Sequence, residues 1–257
     1  MIEIRSTSDK RYKDGLNIQL SESIMSGSLN AIKDLIHSGA DVNIRYTGGE
    51  TPLLMAIKSN KLMAADLLIE SGADVDIRDT DANTPLMELC RRDSAMDLTK
   101  KVVALTKKIS AKNNIGDTAL HIAAYRGYFE TVVELVKNGA ELNMPNRAGD
   151  LPLHKAAVYG WTEIAKYLVE NGADVDWDNK EGNTVLHLAN LNGFNDFIEF
   201  IENVSTSCDK RNKNGQTPAE CRTEQLKYKL AEDGKDLMEQ AAQYVKNHTD
   251  LMNGNNA

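Results

Sequence analysis

The chain has 257 residues, 41% of them hydrophobic and 26% charged, an ordinary balance for a soluble folded protein. Its formal net charge of −8 argues against a general nucleic-acid binder, which carries a basic excess. Aromatics at 5% are too few for an aromatic-packed β-sandwich, and no run of 18 apolar residues is present to cross a membrane.

The first residues, MIEIRSTSDKRYKDG, have no apolar core of the kind a signal peptide needs. Residues 1–15 are expected to form an extension, frayed over 1–12. With no leader and three cysteines outside any CxxC pair (Cys90, Cys208 and Cys221), the expectation is a cytoplasmic protein with reduced thiols. A protein passed into another cell without an apolar leader reads the same way.

From residue 16 the chain repeats itself. Units open at Thr51, Thr84, Thr118, Leu151, Thr184 and Thr217, with steps of 33, 34, 33, 33 and 33. A second marker, Gly-Ala-Asp/Glu-Val/Leu-Asn/Asp, starts at Gly39, Gly72, Gly139 and Gly172 in the same phase. The predicted units are 16–46, 47–79, 80–113, 114–146, 147–179, 180–212 and 213–248, with a disordered tail at 249–257.

Each unit carries helix punctuation. Thr-Pro at Thr51, Thr84 and Thr217 sets a capping hydroxyl ahead of a proline, whose missing N–H costs little in a first turn. Small alanines such as Ala123, Ala124, Ala156 and Ala157 allow close helix packing. Gly127, Gly160 and Gly193 allow a tight turn into a second helix with an apolar stripe, for example Val132, Val133, Leu135 and Val136. Gly39, Gly72, Gly139 and Gly172 then stop that helix as left-handed caps. No such unit can bury its apolar faces alone, so neighbours must stack. The first unit, without Thr-Pro, and the last, with a polar second helix at Lys235–Lys246, are expected to cap the array.

Two units depart from the pattern. The third has LTKKISAKNNIGD, and Asp93 in place of the turn glycine. The sixth has NVSTSCDKRNKNG. Drift in loops and specialisation for a ligand are both open, with drift the simpler reading.

His121, His154 and His187 recur at 33-residue spacing on the first helices. Packed helices lie about 8–10 Å apart, too far for these rings to share one metal at ~2.1 Å each. Hydrogen bonds tying adjacent loops together are the expected role; His37 and His248 stand alone. No GxSxG, HExxH, phosphate-binding loop or dinucleotide fingerprint is present, so neither catalysis nor a cofactor is expected.

TPLLMAI from Thr51, TPLME from Thr84, TALHIAA from Thr118, LPLHKAA from Leu151, TVLHLAN from Thr184 and TPAEC from Thr217 resemble the ankyrin repeat. The resemblance covers roughly residues 16–245 and implies an all-α ankyrin-repeat solenoid of about seven stacked helix-turn-helix units with projecting loops or β-hairpins. It implies that ligands contact the loop tips and the concave face of the first helices.

On that implication, candidate contact residues are those just before each turn: Lys58, Arg91, Arg92, Tyr125, Arg126 and Tyr159. Arg45, Arg78, Lys112 and Trp177 join them on the loop tips. A basic stripe on an acidic chain suits another protein with an acidic segment, and Tyr, Trp and Arg are enriched at binding hot spots. The expected function is a monomeric protein–protein adaptor or scaffold without catalysis. An effector or inhibitor that occupies a target's surface is the alternative, and binding of nucleic acid or another anionic ligand ranks behind both.

Overall fold

The computed structural model describes residues 2–92 and 95–222, with side chains from residue 12 onward. Asp93, Ser94, the expected second helix at Lys235–Lys246, His248 and the tail at 249–257 lie outside the described residues. The helices come in pairs: α1 (Ile2–Ser26) with α2 (Leu29–His37), α3 (Pro52–Lys58) with α4 (Leu62–Glu70), and α5 (Pro85–Leu89) with α6 (Met96–Leu105). There follow α7 (Ala119–Arg126) with α8 (Phe129–Lys137), α9 (Pro152–Ala157) with α10 (Thr162–Glu170), and α11 (Val185–Asn192) with α12 (Asn195–Val204). Helix resumes at Pro218, and no strand occurs among the described residues. Residues 2–15, expected as an extension, continue α1, and no proline interrupts them.

The first helices α1, α3, α5, α7, α9 and α11 stack in one layer, and the second helices form another behind them. Threonine punctuation starts the first helices. Thr51 Oγ1 accepts from Leu54 N, Thr84 Oγ1 from Met87 N, and Thr118 Oγ1 from His121 N, at 3.3–3.4 Å. Pro52, Pro85 and Pro152 occupy the first turn of α3, α5 and α9. Between the layers lies one continuous apolar core, from Leu16, Leu20 and Ile24 to Phe197 and Ile201. Ala123, Ala124, Ala156 and Ala157 are fully enclosed there, which lets α7 and α9 approach closely.

The divergent third and sixth units share one architecture. At two junctions where the Gly-Ala-Asp/Glu phrase follows, the preceding unit ends on asparagine; at the junction to the fourth unit Ser110 Oγ accepts from Glu141 N at 2.9 Å instead. Asn43 Oδ1 accepts from Asp74 N at 2.7 Å while its amide donates to Gly72 O at 3.2 Å. Asn143 does the same with Asp174 N at 2.8 Å and Gly172 O at 3.0 Å. Where the phrase is missing, the preceding unit ends on aspartate. Thr106 donates its hydroxyl to Asp76, and Ser205 Oγ donates to Asp176 at 2.6 Å with Thr206 beside it. α6 and α12 both end on extended residues, Thr106 and Ser205, that deliver these hydroxyls. At both departures the neighbouring unit also differs, so the two junctions share a second docking chemistry.

Candidate binding face

Three ladders of polar side chains zip the units together, and each uses residues that the repeat spacing singles out. The first is histidine. His121 Nδ1 accepts from the backbone N–H of Thr118 at 3.2 Å, so Nε2 carries the proton and donates to Asp150 O at 3.0 Å in the next unit. His154 accepts from Leu151 N and donates to Asn183 O, both at 3.3 Å; His187 accepts from Thr184 N at 3.1 Å and donates to Gln216 O at 3.0 Å. The imidazoles do tie adjacent loops. Burial pushes all three pKa values down, His154 to about 4, against the opposing pull of carbonyl and carboxylate neighbours. Among the described residues no three His, Cys, Asp or Glu side chains gather as a metal ion would require.

The second ladder runs along the loop tips. Asn113, Asn146, Asn179 and Asn212 follow one another at 33-residue spacing. Asn146 Oδ1 accepts from Ala148 N at 2.9 Å and Asp150 N at 3.0 Å, shaping its own loop. Its amide then donates to Asp117 Oδ1 of the preceding loop at 2.7 Å. Asn113 reaches Asn83, Asn179 reaches Asp150, and Asn212 reaches Asn183 in the same manner, at 2.7–3.0 Å. Counting by 33 would have found this ladder.

Asp79 holds the equivalent place in the second loop. Its Oδ1 accepts from Asp81 N and Asn83 N, but it has no amide to offer the preceding loop, where Glu50 stands. Lys58 supplies the missing donor. Its Nζ lies 3.0 Å from Glu50 Oε1 and 2.9 Å from Asp79 Oδ2. Burial alone would lower the Lys58 pKa, but the two carboxylates outweigh it and raise the pKa. Burial likewise opposes the lowering at Asp79, and the ammonium and the Asn83 bonds prevail.

Most of the other predicted contact residues also have partners. Arg45 donates to Arg78 O at 3.0 Å, and Lys112 to Pro145 O at 2.6 Å. Trp177 Nε1 donates to Gly149 O at 2.9 Å. Arg92 donates to Lys58 O at 2.7 Å, and its Nε is buried without a partner among the described residues. Arg91 lies 3.5 Å from Glu88 and from Asn83 Oδ1. The Arg78 and Arg126 side chains have no hydrogen-bond or ion-pair partner among the described residues; Arg78 is half-buried and Arg126 exposed.

The third ladder is aromatic. Tyr125 and Tyr159, at the ends of consecutive first helices, are joined hydroxyl to hydroxyl at 3.0 Å, with rings edge-to-face at 5.0 Å. Trp161 follows at 6.3 Å from Tyr159, and its indole Nε1 donates to Tyr125 O at 3.2 Å. The indole lies on Gly127, where a Cβ would come within 2.5 Å of the ring. Glycine there is set both by φ +78° and by the ring above it. Phe129 and Tyr167 extend the aromatics onto the second helices at 5.8 Å. Tyr125, Tyr159 and Trp161 stay 39–46% exposed, contiguous on the turn edge of the fourth and fifth units.

Family models for ankyrin repeats (three copies) match residues 20–100, 64–146, 95–176 and 120–214. The chain belongs to the ankyrin-repeat family. The ankyrin repeat domain of Bcl-3, a member of the IkappaB protein family, superposes with a TM-score of 0.68 at 24% identity, covering 79% of this chain and 92% of that one. An ankyrin repeat domain from Acinetobacter baumannii AYE gives 0.66 at 26% identity, with coverage of 71% and 95%. The ankyrin repeat domain of human ASB11 gives 0.69 at 25%, with coverage of 79% and 90%. No curated protein matches the chain in sequence. Ankyrin repeat domains are generally protein–protein interaction modules. Among the described residues no helix is long and apolar enough to cross a membrane.

Proposed function

We propose that this ankyrin-repeat chain is a protein-binding scaffold without catalysis, and that its partner docks on the first-helix ends and adjoining turns of the third to fifth units. One observation carries the reading: Tyr125, Arg126, Tyr159 and Trp161 form an exposed aromatic and cationic surface on the turn edge of the fourth and fifth units. Large aromatics left in water beside an arginine are the side chains that interfaces use as anchors. Lys58, Arg45, Lys112 and Trp177 contribute to the stacking of this face, each through the hydrogen bonds it makes within the array.

Affinity capture from a native lysate tests the reading. The wild-type chain is compared with Arg91→Glu/Arg126→Glu, whose sites are exposed or half-buried. Loss of captured protein at unchanged melting temperature supports it. Retention of the same partners at physiological salt removes these residues from the site.

A further inference from the structure

The basic stripe of the first three units is largely occupied, the half-buried Arg78 excepted, which concentrates the available chemistry on the fourth and fifth. Lys58 faces two carboxylates, and Arg45, Arg92 and Lys112 donate to carbonyls. Arg126 is exposed and keeps its guanidinium donors, among the described residues. It directly follows Tyr125 at the C-terminal end of α7, beside the tyrosine pair.

The tyrosine pair adds one more donor. When one hydroxyl donates to the other at 3.0 Å, the accepting phenol keeps its own O–H for an outside group. Trp161 Nε1 is already committed to Tyr125 O, so its ring offers apolar surface alone. Beside it a cleft of about 230 Å³ is lined by Gly127, Phe129, Gly160, Trp161, Thr162, Glu163 and Ile164. Glu163 is paired to Lys166 at 2.8 Å.

We propose that this edge captures a peptide segment of a partner protein that pairs a carboxylate with Arg126 and the free Tyr125/Tyr159 hydroxyl, and seats a neighbouring apolar side chain in the Trp161–Phe129 cleft. The donors call for an anionic acceptor, and the cleft has room for an apolar side chain. The chain as a whole, at a net charge of −8, repels an acidic segment at long range. Recognition is therefore short-range, with a shallow dependence on salt. The inference deepens the proposed scaffold function and rests on it.

A displayed library of random peptides, selected against the full chain, tests it. The expected winners carry Asp or Glu close to an apolar residue. A synthetic winner is then titrated against wild type, Arg126→Ala, Tyr159→Ala and the exposed Lys33→Ala on α2, with folding checked by circular dichroism. Affinity falls about tenfold or more for the first two variants and stays near wild type for Lys33→Ala. Winners rich in Lys or Arg, or acidic winners indifferent to Arg126 and Tyr159, overturn the inference and leave the scaffold reading intact. A single-stranded oligonucleotide that displaces the peptide with a steep salt dependence also overturns it, since bases stack on aromatics too. Failure to select any peptide, together with an empty lysate capture, overturns both.

Discussion

Ser205 donates its hydroxyl to Asp176 at 2.6 Å, and this bond joins the sixth unit to the fifth where the other phase of the array uses an asparagine. Thr206 reinforces it from the side chain and from the backbone N–H at 3.1 Å. Burial would raise the Asp176 pKa, and these donors outweigh it and hold the carboxyl below its ordinary range. Thr106 and Asp76 make the same contact three units earlier.

The docking rule is reciprocal. Asp176→Asn puts an amide donor against hydroxyls that already donate, and should cost about 1–2 kcal/mol. Asn143→Asp places a carboxylate against Gly172 O, where an amide donates at 3.0 Å, and should cost a similar amount. Urea unfolding of both variants checks the pair. If either exchange is neutral, asparagine and aspartate are interchangeable here and the rule fails.

Lys58 is expected to act as a structural bridge. Lys58→Ala leaves the Glu50 and Asp79 carboxylates facing without a counter-charge, and should destabilise the chain by about 1–3 kcal/mol. Asp79→Asn on that background restores the amide that Asn113, Asn146, Asn179 and Asn212 provide elsewhere. The double variant should recover most of the loss in thermal melts. No recovery means that Lys58 does not stand in for a loop amide.

Stability should fall on mild acidification. The folded pKa values of His121, His154 and His187 lie below the unfolded value of about 6.5, so the unfolded chain takes up more protons in that window. The contribution is complete above about pH 6.5 and is lost as pH falls towards the value of about 4 held by His154. For His154 this amounts to about 3 kcal/mol across the window. Asp79, Asp150 and Asp176, with lowered values, lose theirs in more acidic solution. Urea midpoints at pH 7.5, 6 and 5 should decline, and His154→Asn should be weaker at pH 7.5 with a shallower decline.

Gly127→Ala should be costly. The residue lies at φ +78°, and the new methyl would meet the Trp161 ring at 2.5 Å. The left-handed backbone alone costs of order 1–3 kcal/mol, and the displaced indole adds to it. Thermal unfolding measures the loss, and tryptophan emission should shift as the indole leaves its seat over the turn.

Much of this organisation is legible in the sequence because the repeat states it six times over. Thr51, Thr84 and Thr118 mark helix starts, and the spacing of His121, His154 and His187 excludes a shared metal and leaves loop ties. Asn146 was visible at the same spacing, but an asparagine on a loop tip looks like a surface residue until its two loop bonds are seen. Lys58 reads as a surface cation because its partners lie 8 residues before it and 21 after, with nothing local to mark them. The exchange of asparagine for aspartate at Asp76 and Asp176 is a single atom's difference, and its match in the next unit shows only in three dimensions. Trp161 stands two residues after Tyr159 in the sequence, but no spacing there shows that its ring seats on Gly127.

Backbone hydrogen exchange of the full chain, alone and with its captured partner, tests the binding face most directly. The account predicts new protection at residues 122–128 and 156–163, the first-helix ends and turns of the fourth and fifth units. Protection confined to the second-helix faces of α4 and α6, with residues 122–128 and 156–163 unchanged, would contradict it.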